Sequence, residues 1–133
     1  MRHITTIIIH STATPAGRDV TVADITAWHR QRGFATIGYH FLIGLDGTIH
    51  PGRPIAQVGA HCRGHNAHSI GIAYAGGARA DCRTPADTRT PAQRAALRLL
   101  ISRLRERFPG VKVCGHRDLA PTGCPGFDVF ADI

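Results

Sequence analysis

The stretch ITTIIIH, Ile4–His10, decides the fold. Its β-branched residues are stiff at χ1 and suit a pleated strand better than a helix. The run is short and apolar, so it reads as a buried strand. It ends in His10, and Ser11, Thr12, Ala13, Thr14 and Pro15 follow as a loop. Outward from it, strand-like and helix-like segments alternate. Thr21 opens a helix, with Asp24 three residues on as the partner of a capping box. Val22, Ile25, Trp28 and His29 fall on one face of it, and Gly33 stops it. In IGYHFLIGLDGTIHPG, Ile37–Gly52, the Asp46-Gly47 pair predicts a two-residue hairpin turn. Tyr39, Phe41 and Ile43 are expected on one face of its first strand, His40 and Leu42 on the other.

SIGIAYAGG, Ser69–Gly77, reads as a further strand, and residues 78–89, rich in Arg, Asp, Pro and Thr, as a surface loop. Thr90–Phe108 is a helix with Thr90 as N-cap, Pro91 in the first position and Gln93 completing the box. Leu97, Leu100, Ile101, Leu104 and Phe108 form its apolar stripe, with the arginines facing water. Pro109-Gly110 ends it, and VKVCGH, Val111–His116, is a last short strand. The pattern predicts an α/β fold: a single domain over residues 1–133, with a central mixed sheet flanked by helices.

Composition narrows the function classes. The chain has 133 residues, 43% of them hydrophobic and 19% charged, which excludes a disordered chain. The net charge of +7 suits an anionic partner such as nucleic acid, a membrane surface or bacterial wall, or serves simply as solubility charge. Four cysteines, Cys62, Cys82, Cys114 and Cys124, are too few for a disulfide scaffold and fit no zinc-ribbon spacing. Cys62 and Cys82 are expected as free thiols. The opening residues lack a secretory h-region, and no segment nears the ~18 apolar residues of a membrane span. A protein made in the cytoplasm, without membrane attachment, is expected.

Nine histidines are an excess that needs explaining. His10 ends one strand, and His116 follows another. In VCGHRDLAPTGCPGF, Val113–Phe127, Cys124 stands eight positions beyond His116 on a Pro- and Gly-rich loop. Taken singly, a strand-end histidine is ordinarily a satisfied core or surface residue, and a cysteine a small buried hydrophobe. Taken together, His10, His116 and Cys124 are three soft ligands that neighbouring strand ends can bring together. Three protein ligands leave a fourth position open, as catalytic zinc sites do. Asp118 either orients His116 or forms a turn before Leu119-Ala120-Pro121. Tyr74 and Trp28 read as core, and His29, His50, His65 and His68 as surface or rim residues.

Six blocks occur in order: IIIHST (7–12), WHRQRGF (28–34), IGYHFLIGLDGTIHPGRP (37–54), VGAHCRGHNAHSIGI (58–72), TPAQ (90–93) and GHRDLAPTGCPGF (115–127). Together they resemble the zinc-dependent N-acetylmuramoyl-L-alanine amidases of type 2, a family that includes phage lysozyme-amidases and animal peptidoglycan recognition proteins. The phage branch is the nearer. The resemblance implies a Zn2+ site at the strand ends, held by His10, His116 and Cys124. It implies catalytic roles for Tyr39 and for Thr122, where many phage enzymes carry lysine and catalytic animal members carry threonine. His61 and Asn66 become substrate-side residues. The implied reaction is hydrolysis of the amide between the lactyl group of N-acetylmuramic acid and L-alanine of the stem peptide. The implied partner is peptidoglycan, met by a monomeric phage or prophage endolysin after its release from the cytoplasm, with no separate wall-binding module.

Other readings stand beside it. Family members without the cysteine bind peptidoglycan without cleaving it. Some phage relatives bind an RNA polymerase. No recognition helix or aromatic-basic interleaving points to nucleic acid. Cytoplasmic recycling amidases carry aspartate where this chain has Cys124.

Overall fold

The computed structural model describes residues 2–133. Its strands are β1 (Thr6–Ser11), β2 (Thr14–Pro15), β3 (Phe41–Ile43), β4 (Ile49–Pro51), β5 (Ser69–Tyr74), β6 (Gly77–Ala78) and β7 (Lys112–Gly115). Its helices are α1 (Val22–Gln31), α2 (Pro91–Arg107) and α3 (Val129–Asp132). Five strands form one sheet in the order β4-β3-β5-β1-β7, and β2 pairs with β6 apart from it. Strand β1 runs parallel to β5 and β7, and β5 parallel to β3, while the hairpin partner β4 is antiparallel. The sheet is therefore mixed, as the sequence predicts.

Alternation along the strands sorts two cores. Ile7 and Ile9 of β1, with Ile43, Ile70, Ile72 and Tyr74, pack on Ala96, Leu97, Leu100, Ile101 and Leu104 of α2. Leu42, Ala73 and Ala75 face the other way and pack with Val20, Ile25 and Ile37 around α1. Each fully buried Ile or Leu contributes roughly 1.5–3 kcal/mol against exposure, so α2 with its long stripe carries much of the core. Both helices start on the capping boxes expected, Thr21 with Asp24 and Thr90 with Gln93. Gln93 is also fully buried; its amide donates to the carbonyls of Ala75 and Ile43 at 2.9 and 3.4 Å, tying the helix start to two strand ends.

Four expectations change. The hairpin connection is longer than two residues. The Gly47 N–H donates to the Gly44 carbonyl and the Gly44 N–H to the Thr48 carbonyl, both at 2.9 Å, so Leu45, Asp46 and Gly47 form a three-residue loop with Gly47 at φ +85°. Tyr39 does not share a face with Phe41 and Ile43, because regular pairing begins only at Phe41; Tyr39 packs with the Leu42 core instead. His29 is buried, not a surface residue: its Nδ1 accepts the Gly38 N–H at 2.8 Å. The 78–89 segment is no plain surface loop. It begins in β6, and Arg89 is buried, paired with Asp87 and Asp132.

Candidate metal centre

Strand β1 has Ile8 and His10 on its α1-side face, and β7 brings Cys114 to the same side before the chain reaches His116. His10 thus stands at the carboxyl end of one parallel strand, and His116 opens a short 3-10 turn at the end of its neighbour. Their ring centroids are 4.6 Å apart. The loop after that turn carries Cys124 back over β1. The ligand atoms of His10, His116 and Cys124 all lie within 4.8 Å of one another, with Cys124 Sγ 4.0 Å from His10 Nδ1. Donors around one tetrahedral zinc sit roughly 3.5 Å apart, so the group is of the right size for such an ion.

The hydrogen bonds around this trio test the fit. His10 Nε2 lies 2.8 Å from His61 Nδ1, and His61 Nε2 lies 3.3 Å from Ser69 Oγ. If His10 offers Nδ1 to a metal, its proton sits on Nε2 and is donated to His61. His61 then carries its own proton on Nε2, facing the Ser69 hydroxyl. A single set of tautomers satisfies every contact, and an outer partner that fixes the ligand tautomer is usual in metal sites. Burial, with repulsion from His61, His116 and His29, holds the His10 imidazole well below its ordinary pKa. Burial likewise lowers His116, and burial with the nearby His40 brings His61 to about 3. All three imidazoles are neutral near pH 7, as ligation requires. Burial raises the Cys124 thiol, while the Ser11 N–H, 3.1 Å from Sγ, acts in the opposite sense and favours thiolate.

Tyr39 and Thr122 border the trio. The Tyr39 ring centroid is 5.1 Å from that of His10 and 5.3 Å from that of His29. Burial, then the nearby Cys124, raises the Tyr39 hydroxyl above its ordinary pKa, so it stays protonated and can donate. Thr122 is exposed at the rim, and its Oγ1 accepts the Cys124 N–H at 3.3 Å, leaving the hydroxyl proton free. His61 sits inside the site on His10. The side-chain oxygen of Asn66 accepts the N–H groups of His61 and Cys62 at 2.9 and 3.0 Å and so braces the His61 loop. Asp118 takes the turn role, accepting the Gly115 N–H at 2.7 Å rather than orienting His116.

Two contributors escaped sequence reading. The Ser11 N–H is a backbone donor and has no side-chain signature. Gly71 leaves the room in which the His61 ring lies, since a Cβ there would sit 2.6 Å from that ring. The repeated glycines around His61 were the one available hint.

A trio of neutral imidazoles and a thiol, gathered at parallel strand ends and flanked by hydroxyl donors, defines a candidate hydrolytic metal centre. The family described as N-acetylmuramoyl-L-alanine amidase matches residues 1–127. The endolysin of Klebsiella phage KP32 is 42% identical over 123 residues, covering 92% of this chain and 81% of that one. Among solved structures, the amidase LysC from Clostridium intestinale URNW superposes with a TM-score of 0.83 at 34% identity, covering 98% of this chain and 82% of that one. A Drosophila PGRP-LB mutant in complex with tracheal cytotoxin superposes with a TM-score of 0.83 at 31% identity, covering 100% of this chain and 81% of that one. The chain belongs to the N-acetylmuramoyl-L-alanine amidase family, and it is a peptidoglycan amidase of the endolysin type.

Proposed function

We propose that the chain is a zinc-dependent amidase that cuts peptidoglycan between the lactyl group of N-acetylmuramic acid and L-alanine, with the metal held by His10, His116 and Cys124. The observation that carries the reading is the convergence of these three donors with the far nitrogen of His10 taken by His61. Zinc bound there would supply Lewis acidity, lowering the pKa of a water to near 7 and polarising the scissile carbonyl. The remaining chemistry falls to the chain's own groups. Tyr39, kept protonated, donates its hydroxyl to the oxygen on which charge develops. Thr122, its oxygen already turned to the Cys124 N–H, donates or orients water from the Cys124 loop. His61 holds the His10 tautomer and is a positioning residue. The chain acts as one monomeric amidase domain, after release from the cytoplasm to the wall. Its basic surface favours the anionic polymer.

Mass spectrometry of purified peptidoglycan digested by the protein, with zinc and after chelation, tests this. Free stem peptides beside intact glycan, lost on chelation and restored by zinc, are expected. Zinc-loaded protein that releases no peptide would overturn the catalytic reading in favour of a wall-binding one, and peptide release that survives full chelation would overturn the zinc.

A further inference from the structure

The 77–89 segment, polar in sequence and absent from the chemistry above, packs against the loop that carries Cys124. A Cβ on Gly123 would meet the Pro85 ring, and one on Gly126 would meet the Ala86 carbonyl, so the loops touch backbone to ring at Gly123 and backbone to backbone at Gly126. The guanidinium of buried Arg89 lies 3.4 Å from the Phe127 ring centroid. It is held flat there by Asp87, which takes Nε and an Nη at 2.9 Å each, and by Asp132 at 2.6 Å. From the sheet, fully buried Tyr74 donates its hydroxyl to the carbonyl of Pro125 at 2.6 Å. Tyr74 is the cross-strand partner of Ser11, whose N–H meets the Cys124 sulfur. Cys124 and the residue after it are thus both anchored to one rung of the sheet.

We infer that Tyr74 and Arg89 are positioning residues that, with the 77–89 segment, clamp the Cys124 loop in the place from which its sulfur can ligate. The inference rests on the metal reading proposed above. Neither residue touches the trio. Tyr74 acts through the Pro125 carbonyl, and Arg89 through Phe127. Loss of the Tyr74 hydroxyl leaves a buried carbonyl without its donor, and the cost falls on the residue next to Cys124. Lysine at 89 keeps the charge but loses the planar fork that pairs with Asp87 while stacking on the ring.

The test compares Tyr74→Phe and Arg89→Lys with wild type and with Leu104→Ala, a core change in α2 that removes neither the Pro125 bond nor the Phe127 stack. Zinc affinity is measured by chelator competition, the sulfur-to-metal charge-transfer absorption with Co2+ in place of zinc, and hydrogen exchange over 122–127 on the metal-free chain. Tyr74→Phe is expected to weaken zinc binding by roughly 10-fold, within the 10–100-fold range typical of partners behind a ligand. It should also alter the cobalt–thiolate band and speed exchange over 122–127. Leu104→Ala should lower the melting temperature while leaving all three unchanged. The inference is overturned if Tyr74→Phe and Arg89→Lys match wild type in affinity and exchange, or if Leu104→Ala weakens zinc binding equally. A wild type that binds no zinc would sink the metal reading. Exchange then decides the clamp alone: faster exchange in Tyr74→Phe upholds it, and unchanged exchange overturns it.

Discussion

Gly71→Ala isolates the contact between His61 and His10. An added Cβ would lie 2.6, 2.7 and 2.8 Å from Cγ, Cδ2 and Nδ1 of the His61 ring, well inside contact distance. Alanine suits the strand backbone at this position, so the substitution acts through the ring. The ring must move, and the Nδ1 that meets His10 Nε2 at 2.8 Å moves with it. His10 then loses the acceptor that fixes its tautomer, and zinc affinity should fall about 10- to 100-fold. Overpacking costs about 1–3 kcal/mol. With an unfolding entropy of ~2.1 cal/mol/K per residue, each kcal/mol lowers Tm by about 4 °C in a chain of 133 residues. The assay is a double-mutant cycle with His61→Ala, reading zinc Kd by chelator competition and Tm by calorimetry. In the His61→Ala background the ring is gone, so Gly71→Ala should change zinc Kd little. Equal losses of affinity from Gly71→Ala with and without His61 would refute the reasoning.

Tyr39→Phe keeps the ring beside His10 and removes only the donor; kcat on purified peptidoglycan should fall on the order of 10²–10³ while zinc affinity stays at the wild-type value. Buried His29 should make stability acid-sensitive. Burial, with Arg32 and Arg53 nearby, lowers its pKa to about 4, below the ~6.5 of an unfolded chain. The unfolded state therefore binds the proton first, so the stability His29 confers is full above pH ~6.5 and is lost as pH falls toward 4, on the order of 2–3 kcal/mol. Urea melts of wild type and His29→Gln across that window check it, the variant showing the shallower slope. Thr90→Ala removes both the α2 cap and a 2.8 Å bond to the Leu45 carbonyl; a loss of about 1–2 kcal/mol and a Tm drop of about 4–8 °C are expected by calorimetry.

What the sequence disclosed follows from the range of each interaction. The caps of α1 and α2 are local, three residues from hydroxyl to acid or amide, and were legible. So was β1, because seven residues of isoleucine and threonine with one terminal histidine leave little else to form. The hairpin length is not legible because Asp-Gly fits both a two-residue turn and the three-residue loop found, and the choice lies with the Gly44–Thr48 pairing across it. Strict alternation carried back past Phe41 puts Tyr39 on the wrong face. There the chain pairs irregularly, with His40 donating to the Gly71 carbonyl and Arg53 to that of Tyr39. His29 looked like a rim residue because its partner is a backbone N–H nine positions away. The candidate metal trio is legible in the sequence only as a set, since each donor alone is commonplace.

The register of β1 binds fold and site into one choice. Ile7 and Ile9 pair with Ile70 and Ile72, and His10 with Ala73, so the isoleucines meet α2 while His10 turns toward Tyr39 and His61. Side chains alternate with a period of two, so a slip of one residue would send His10 into the isoleucine–leucine layer under α2 and Ile9 into the trio's place. The buried imidazole would then have no partner, and the layer would lose a full isoleucine. The same apolar packing that stabilises the sheet therefore excludes every odd slip of register, each of which would turn His10 away from that side. Ser11, one residue further, must then lie beside Tyr74, where its N–H faces the sulfur and the tyrosine hydroxyl reaches the Pro125 carbonyl. The candidate ligand His10, the donor to the thiol and the anchor of the thiol's loop are consecutive consequences of one hydrophobic fit.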